Sequence, residues 1–171
     1  MSGLKTRAMK LYDNFIDPLE LSVIQNSMLE GVMHWYYNTC VDFYNEGEDY
    51  LDNYQFIHNF YGNNTINSEY IKLLYPIIDK IKPRSLIRVK ANLSPRTENI
   101  IHHQYHTDYD YDGAKTSIFY VNTNNGYTLF KNGTKVESVE NRLVTFDCKE
   151  EHTGTTCTNE KIRVVINFNY F

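Results

Sequence analysis

The sequence predicts an α+β chain, mainly β, with helices from its first half packed on one sheet of a barrel or double-sheet jelly roll. Three observations predict it. Apolar residues recur at helical spacing behind a capping signal near position 17. From Arg84 onward the pattern changes to short β-branched and aromatic runs separated by Asn, Gly, Asp and Lys turns. The 171 residues, 42% of them hydrophobic, are enough for one domain with a core and an enclosed small-molecule pocket. The expectation is a single domain over 1–171, with 1–83 as a helical and loop support region and 84–171 as the jelly-roll core.

In chain order, Asp17 is a helix N-cap, Pro18 suits the first helical position and Glu20 completes a capping box. Leu19, Val23, Ile24, Met28 and Leu29 then give an amphipathic helix to about Glu30. Met33 and the aromatics Trp35, Tyr36 and Tyr37 make a strand or a short helix. The stretch 45–67, rich in Asn, Asp, Gly and Tyr, reads as a loop with at most one short element at 54–60. A helix resumes at Ser68, is kinked by Pro76 and ends before Pro83. Strands follow at 85–93, 116–121, 127–130, 142–146 and 162–168, with turn chemistry at 122–126 and 131–134. On the last strand Val164, Ile166 and Phe168 share one face, and Arg163, Val165, Asn167 and Asn169 the other. The first face suits packing against the helices; the second, with Arg163, looks into a polar pocket.

Net charge is −4 and the isoelectric point about 5.8, so no basic footprint for nucleic acid is present and none is expected as a partner. No apolar run approaches a membrane span, and the first ten residues lack the apolar stretch of a secretory signal. Cys40, Cys148 and Cys157 are odd in number with no CxxC spacing, which reads as reduced thiols in a cytoplasmic protein.

His106-Thr107-Asp108 carries the chemistry. In an extended segment residues two apart point the same way, so this imidazole and carboxylate converge on one metal ion, and His152 supplies a third ligand. Two histidines and one carboxylate on one face of an octahedron leave positions open, the arrangement of non-haem Fe(II) oxygenases. A rival reading is calcium, since Asp108-x-Asp110-x-Asp112-Gly113 opens like an EF-hand loop. That loop needs a carboxylate at its twelfth position, which here is Phe119 in a strand. Asp110, Asp112 and Gly113 therefore read as a polar turn. Among the other histidines, His34 and His58 read as structural and His102 and His103 as rim or strand residues. Arg163, inward on an otherwise Val/Ile/Phe strand, offers a planar fork to a distal carboxylate.

With His106, Asp108, His152 and Arg163 in that order, the chain resembles the Fe(II)/2-oxoglutarate-dependent dioxygenases, and within them the prolyl-4-hydroxylase-like branch. Ser117-Ile-Phe-Tyr-Val-Asn122 resembles that branch's strand ending in Tyr-Leu-Asn. Glu140-Asn-Arg-Leu-Val-Thr-Phe146 resembles the strand ahead of its distal histidine, and the run from Arg163 to Phe171 its closing strand. The match covers residues 86–171 well and the first half loosely. It departs at Asn125-Gly126-Tyr127, where relatives often carry Gly-Gly, and at Val165, a serine in some relatives.

The resemblance implies a double-stranded β-helix, cupin-like in build, with Fe(II) held by His106, Asp108 and His152. It implies 2-oxoglutarate as cosubstrate, its far carboxylate paired with Arg163 and hydrogen-bonded by Tyr120, with Asn92 as a further contact. It implies consumption of O2, release of succinate and CO2, hydroxylation of an unactivated C–H, and ascorbate as reductant. The prime substrate it favours is a peptidyl proline or another protein side chain, with a small molecule as the other class. Tyr105, Tyr109, Tyr111 and Trp35 are candidates for the entrance. Two other readings stand beside it: a non-catalytic jelly-roll binding module, and a cupin-type enzyme with another metal.

Overall fold

The computed structural model describes residues 9–41 and 53–171. Most of the expectation about the first ten residues, and the 45–52 part of the 45–67 loop, lie outside them. Among the described residues eleven strands form two sheets: β1 (Lys10–Tyr12), β2 (Tyr36–Asn38), β3 (Gln55–Gly62), β4 (Thr65–Ile66), β5 (Leu86–Pro95), β6 (Lys115–Tyr120), β7 (Tyr127–Phe130), β8 (Lys135–Glu137), β9 (Arg142–Asp147), β10 (His152–Gly154) and β11 (Ile162–Tyr170). The larger sheet runs β1-β9-β6-β11-β5-β3-β2, with β4 beside β3, and the smaller runs β10-β7-β8. Every pairing is antiparallel. This is the mainly β double-sheet jelly roll that the sequence predicts.

The helices close the outer face of the large sheet. Helix α1 (Pro18–Leu29) begins with the predicted capping box: Asp17 Oδ1 accepts from the Leu19 amide at 2.8 Å, and the Asp17 amide donates to Glu20 at 3.3 Å. Its buried stripe keeps Ile24 and Met28 of the expected one but has Leu21 in place of Leu19 and Val23. Leu21, Ile24 and Met28 face the sheet, whereas Leu19 and Val23 are 78% and 52% exposed. After Ser68, which caps the segment, Glu69–Leu74 is 3-10 helix and α2 (Tyr75–Ile81) is α-helix. Pro76 has no N–H to give to Lys72, so the segment is two short helices rather than one kinked one.

Ile24, Met28, Leu74 and Ile77 pack with Phe60, Val89, Val164, Ile166 and Phe168 in one core. Ile118, Tyr120, Phe130, Val144, Phe146 and Val165 form a second, between the sheets. Val164 and Val165 thus fall on opposite faces, as the alternation of β11 requires. In the 53–67 part of the expected loop, the one short element allowed at 54–60 is present and longer: Gln55–Gly62 is an eight-residue strand paired along β5 from Leu93 to Arg88. Four strands from the first half (β1, β2, β3 and β4) extend the large sheet, so the support region is more than helix and loop.

Asn141 fastens the helical layer to the barrel. It sits at φ 59°, where Asn is tolerated better than most residues. Its Oδ1 accepts from the Ile16 amide at 2.9 Å, and its Nδ2 donates to the Ile16 carbonyl at 2.8 Å. Asn141→Ala is expected to cost about 2–4 kcal/mol, from two buried groups left unpaired plus left-handed strain. Asn141→Gly, which removes the strain alone, should recover about 1 kcal/mol of that in urea unfolding. Equal stability of Ala and wild type would refute the clamp.

Candidate metal and cosubstrate site

His106 and His152 meet as neighbours across a two-residue bridge, each amide donating to the other's carbonyl at 3.0 Å. The Asp108 amide donates to Cys148 O at 3.1 Å, just past the end of β9. This pairing brings the ligand atoms of His106, Asp108 and His152 to within 4.8 Å of one another, the one such group found among the described residues. His106 Nδ1 donates to Gln104 O at 3.3 Å and His152 Nδ1 to Glu150 O at 2.9 Å, because a carbonyl only accepts. Both Nε2 atoms are left with a lone pair for a metal.

Asp108 is held by a closed ring of side chains. Thr116 Oγ1 donates to Asp108 Oδ2 at 2.6 Å and Arg88 donates to Oδ1 at 3.2 Å. Arg88 Nε also donates to Asn169 Oδ1 at 3.1 Å, and Asn169 Nδ2 donates to Thr116 Oγ1 at 2.9 Å. Burial pushes the Asp108 carboxyl up, but His152, the Thr116 bond, Arg88 and His106 together hold it below the ordinary carboxylate range. Burial, with His106 beside it, pulls the His152 imidazole down against Asp108, 3.9 Å away, and the Glu150 carbonyl, which raise it. At neutral pH the group therefore offers a carboxylate at Asp108 and a neutral imidazole at His152, and with the His106 ring this is a donor set suited to Fe(II). Phe130 and Phe146 wall in the His152 ring at 5.9 and 4.8 Å between centroids.

A pocket of about 460 Å³ opens beside this group, within the range of small-molecule sites. Its floor is the paired face of β5 and β11, where Ser94, Asn92, Lys90 and Arg88 stand opposite Arg163, Val165, Asn167 and Asn169. Arg88 lies at the Asp108 end and Arg163 toward the other. Arg163 is buried, donates from Nε to Ser138 Oγ at 2.9 Å, and has Thr128 Oγ1 at 3.5 Å. Among the described residues no carboxylate pairs with it, and burial lowers its pKa without discharging a guanidinium. A buried, unpaired cation at the end of a pocket asks for an anion.

Of the residues predicted from the sequence, His106, Asp108, His152, Arg163 and Asn92 all line this pocket. Asn92 Oδ1 is buried and has no hydrogen-bond partner. Tyr120 is fully buried behind the wall, its ring 5.8 Å from the Arg163 guanidinium, and its hydroxyl donates to Thr128 Oγ1 at 2.8 Å. Of the entrance candidates only Tyr105 reaches the pocket. Tyr109 lies under Arg88 and stacks on Tyr111, and Trp35 donates to Met28 O against the helical core. Asp110 and Asp112 pair with Lys149 at 2.9 and 2.6 Å, the polar turn expected of them. His58 is structural, bonded to His34 O and Ser68.

Arg88, Lys90, Thr116 and Ser138 were not singled out in the sequence. The signal was present on β5, where Arg88, Lys90, Asn92 and Ser94 alternate with Val89, Ala91 and Leu93. Gly126 has a role as well: a Cβ there would lie 2.6 Å from Arg163 Cδ.

By sequence, no protein-family model and no curated protein matches the chain. Solved structures do match it in shape. A prolyl hydroxylase from Trichoplax adhaerens, in complex with a peptide of the hypoxia-inducible factor oxygen degradation domain, superposes with a TM-score of 0.66 at 17% identity. That match covers 95% of this chain and 83% of the other. SnoN, a non-haem α-ketoglutarate-dependent epimerase of nogalamycin biosynthesis, gives 0.69 at 10% identity over 95% and 77%. HygX from Streptomyces hygroscopicus, with nickel and 2-oxoglutarate bound, gives 0.61 at 9% identity over 96% and 83%. This chain has the double-stranded β-helix fold of the prolyl hydroxylases and other 2-oxoglutarate–iron oxygenases.

Proposed function

We propose that the protein is an Fe(II)- and 2-oxoglutarate-dependent dioxygenase that hydroxylates an unactivated C–H bond, releasing succinate and CO2. One observation carries the reading: the His106–Asp108–His152 group and the unpaired Arg163 guanidinium line the same pocket of this fold. Bound Fe(II) would supply O2 activation, with 2-oxoglutarate as the electron donor and ascorbate as the reductant that restores the metal.

The residues of the chain do the rest. His106 and His152 present Nε2 in fixed orientation because their Nδ1 protons are engaged by Gln104 and Glu150 carbonyls. Thr116 and Arg88 hold the Asp108 carboxylate ionised and stationary. Arg163, oriented by Ser138, takes the far carboxylate of 2-oxoglutarate. The Tyr120 hydroxyl, now on Thr128, supports that end, and the Asn92 amide offers a further contact midway along the floor. Likeness of fold to prolyl hydroxylases supports a peptidyl proline or another protein side chain as the acceptor of the hydroxyl group. The three free cysteines suit a reducing, cytoplasmic setting. Among the described residues no helix is long and apolar enough to cross a membrane.

The test is succinate formation with Fe(II), 2-oxoglutarate and air, beside calorimetric binding of 2-oxoglutarate to the Zn(II)-loaded protein. Arg163→Met is expected to weaken that binding by at least about thirtyfold, the cost of losing one partner of a buried charge pair. No binding of 2-oxoglutarate to the wild-type protein, or equal binding by Arg163→Met, would overturn the reading.

A further inference from the structure

Lys90 is the charged group in the pocket for which the proposed chemistry has no use. It stands on the pocket face of β5 between Arg88 and Asn92, opposite Asn167 of β11. Its neighbours on that floor are otherwise engaged: Arg88 is bonded to Asp108 and Asn169, and Arg163 to Ser138. Among the described residues neither a hydrogen-bond acceptor nor a carboxylate is bonded to the Lys90 ammonium. Burial, with Arg88 beside it, lowers its pKa to about 8 although Asp108 pulls the other way.

Charge balance says what is missing. Fe(II), Asp108, Arg163 and doubly charged 2-oxoglutarate sum to zero, so the filled site is neutral before Arg88 and Lys90 are counted. Arg88 serves as a brace for Asp108. Lys90 is then a surplus, desolvated cation on the floor of the pocket, and such a cation is stabilised by an anion brought in from outside. A lone ammonium is a point charge with no fork for a phosphate, and a chain of net charge −4 repels polyanions.

Resting on the oxygenase reading, we infer that the prime substrate carries a carboxylate and that Lys90 is the residue that binds it. The carboxylate belongs to a free acid or to an acidic residue of a peptide; the chemistry at Lys90 is the same. Pairing there anchors the substrate on the same floor as Asp108, and a neutral analogue of the same shape would lose the anchor.

The experiment measures how fast Lys90 is reductively methylated in the Zn(II)-loaded full chain saturated with 2-oxoglutarate. Mass spectrometry reads the product, with exposed Lys131 as the internal reference. Propionate is expected to slow Lys90 by about threefold or more as it saturates, while propanamide leaves it unchanged. Free L-proline and a blocked Pro-Asp dipeptide, run as further arms, distinguish a free acid from an acidic peptide residue. Equal rates with propionate and propanamide would overturn the inference. So would protection by 2-oxoglutarate alone together with a loss of more than about tenfold in 2-oxoglutarate affinity in Lys90→Met, which assigns Lys90 to the cosubstrate. Failure of 2-oxoglutarate to bind at all removes the oxygenase reading and this inference with it; binding without propionate protection removes this inference alone.

Discussion

Asp108→Asn is expected to lower Co(II) affinity by at least about a hundredfold, beyond the range seen when supporting residues are lost, and to abolish succinate formation. Asparagine keeps the shape and an acceptor oxygen for Arg88 or Thr116, so the melting temperature should change little. Asp108→Ala separates the two roles. It leaves Arg88 and Thr116 without their acceptor at a site where the carboxylate is 6% exposed and Arg88 28%. The added destabilisation is about 1–3 kcal/mol, discounted because Arg88 reaches solvent. The pH dependence has a definite sign. The folded-state pKa of Asp108 is depressed, so its contribution to stability is present above the unfolded value near about 4 and is lost as pH falls through the lower folded value. Asp108→Asn should flatten that acid limb. Optical titration with Co(II) and urea melts between neutral and acid pH check both parts. Undiminished Co(II) affinity in Asp108→Asn would remove the carboxylate from the ligand set.

The metal group was legible because alternation along extended chain is a strict rule. His106 and Asp108 had to share a face, and an inward Arg163 followed from Val164, Ile166 and Phe168 pointing outward. What local pattern could not supply was decided by distant partners. Gln55–Gly62 lies in a stretch rich in Asn, Asp, Gly and Tyr that allowed at most one short element at 54–60, yet it is an eight-residue strand because β5 offers it a ladder from Leu93 to Arg88. Helix α1 buries Ile24 and Met28 of its expected stripe, while packing in one core with Leu74 and Phe168 buries Leu21 and leaves Leu19 and Val23 exposed. Lys90 and Arg88 were not singled out: the alternation of β5 marks its polar face, but nothing in β5 alone says that this face closes over a pocket. The same holds for Ser138, which meets Arg163 only because β11 runs beside the turn that carries it.

Gly126→Ala tests how tightly the Arg163 end of the pocket is built. A Cβ at this position would lie 2.6 Å from Arg163 Cδ, 2.7 Å from the Thr156 carbonyl and 2.9 Å from Asn124 Oδ1. The Arg163 side chain could yield to the methyl alone, but the Thr156 carbonyl belongs to backbone and Asn124 Oδ1 already accepts from the Gly126 amide at 2.9 Å. The Gly126 carbonyl accepts from the Ser138 amide at 3.1 Å, and Ser138 Oγ in turn accepts from Arg163 Nε. Any shift that relieves the methyl is therefore passed to the group that orients the guanidinium. The expected destabilisation is about 1–3 kcal/mol, as for other overpacked sites. Affinity for 2-oxoglutarate should fall by about tenfold or more, because a misplaced fork forfeits a charge-assisted bond. Co(II) affinity should hold, since His106, Asp108 and His152 lie on other segments. Gly133→Ala is the control: at φ 89° it carries backbone strain, but a Cβ there meets nothing within 4 Å. It should lose stability without losing 2-oxoglutarate. If Gly126→Ala bound the cosubstrate as Gly133→Ala does, the 2-oxoglutarate end of the pocket would have to lie away from Arg163, and the charge balance that singles out Lys90 would have to be redrawn.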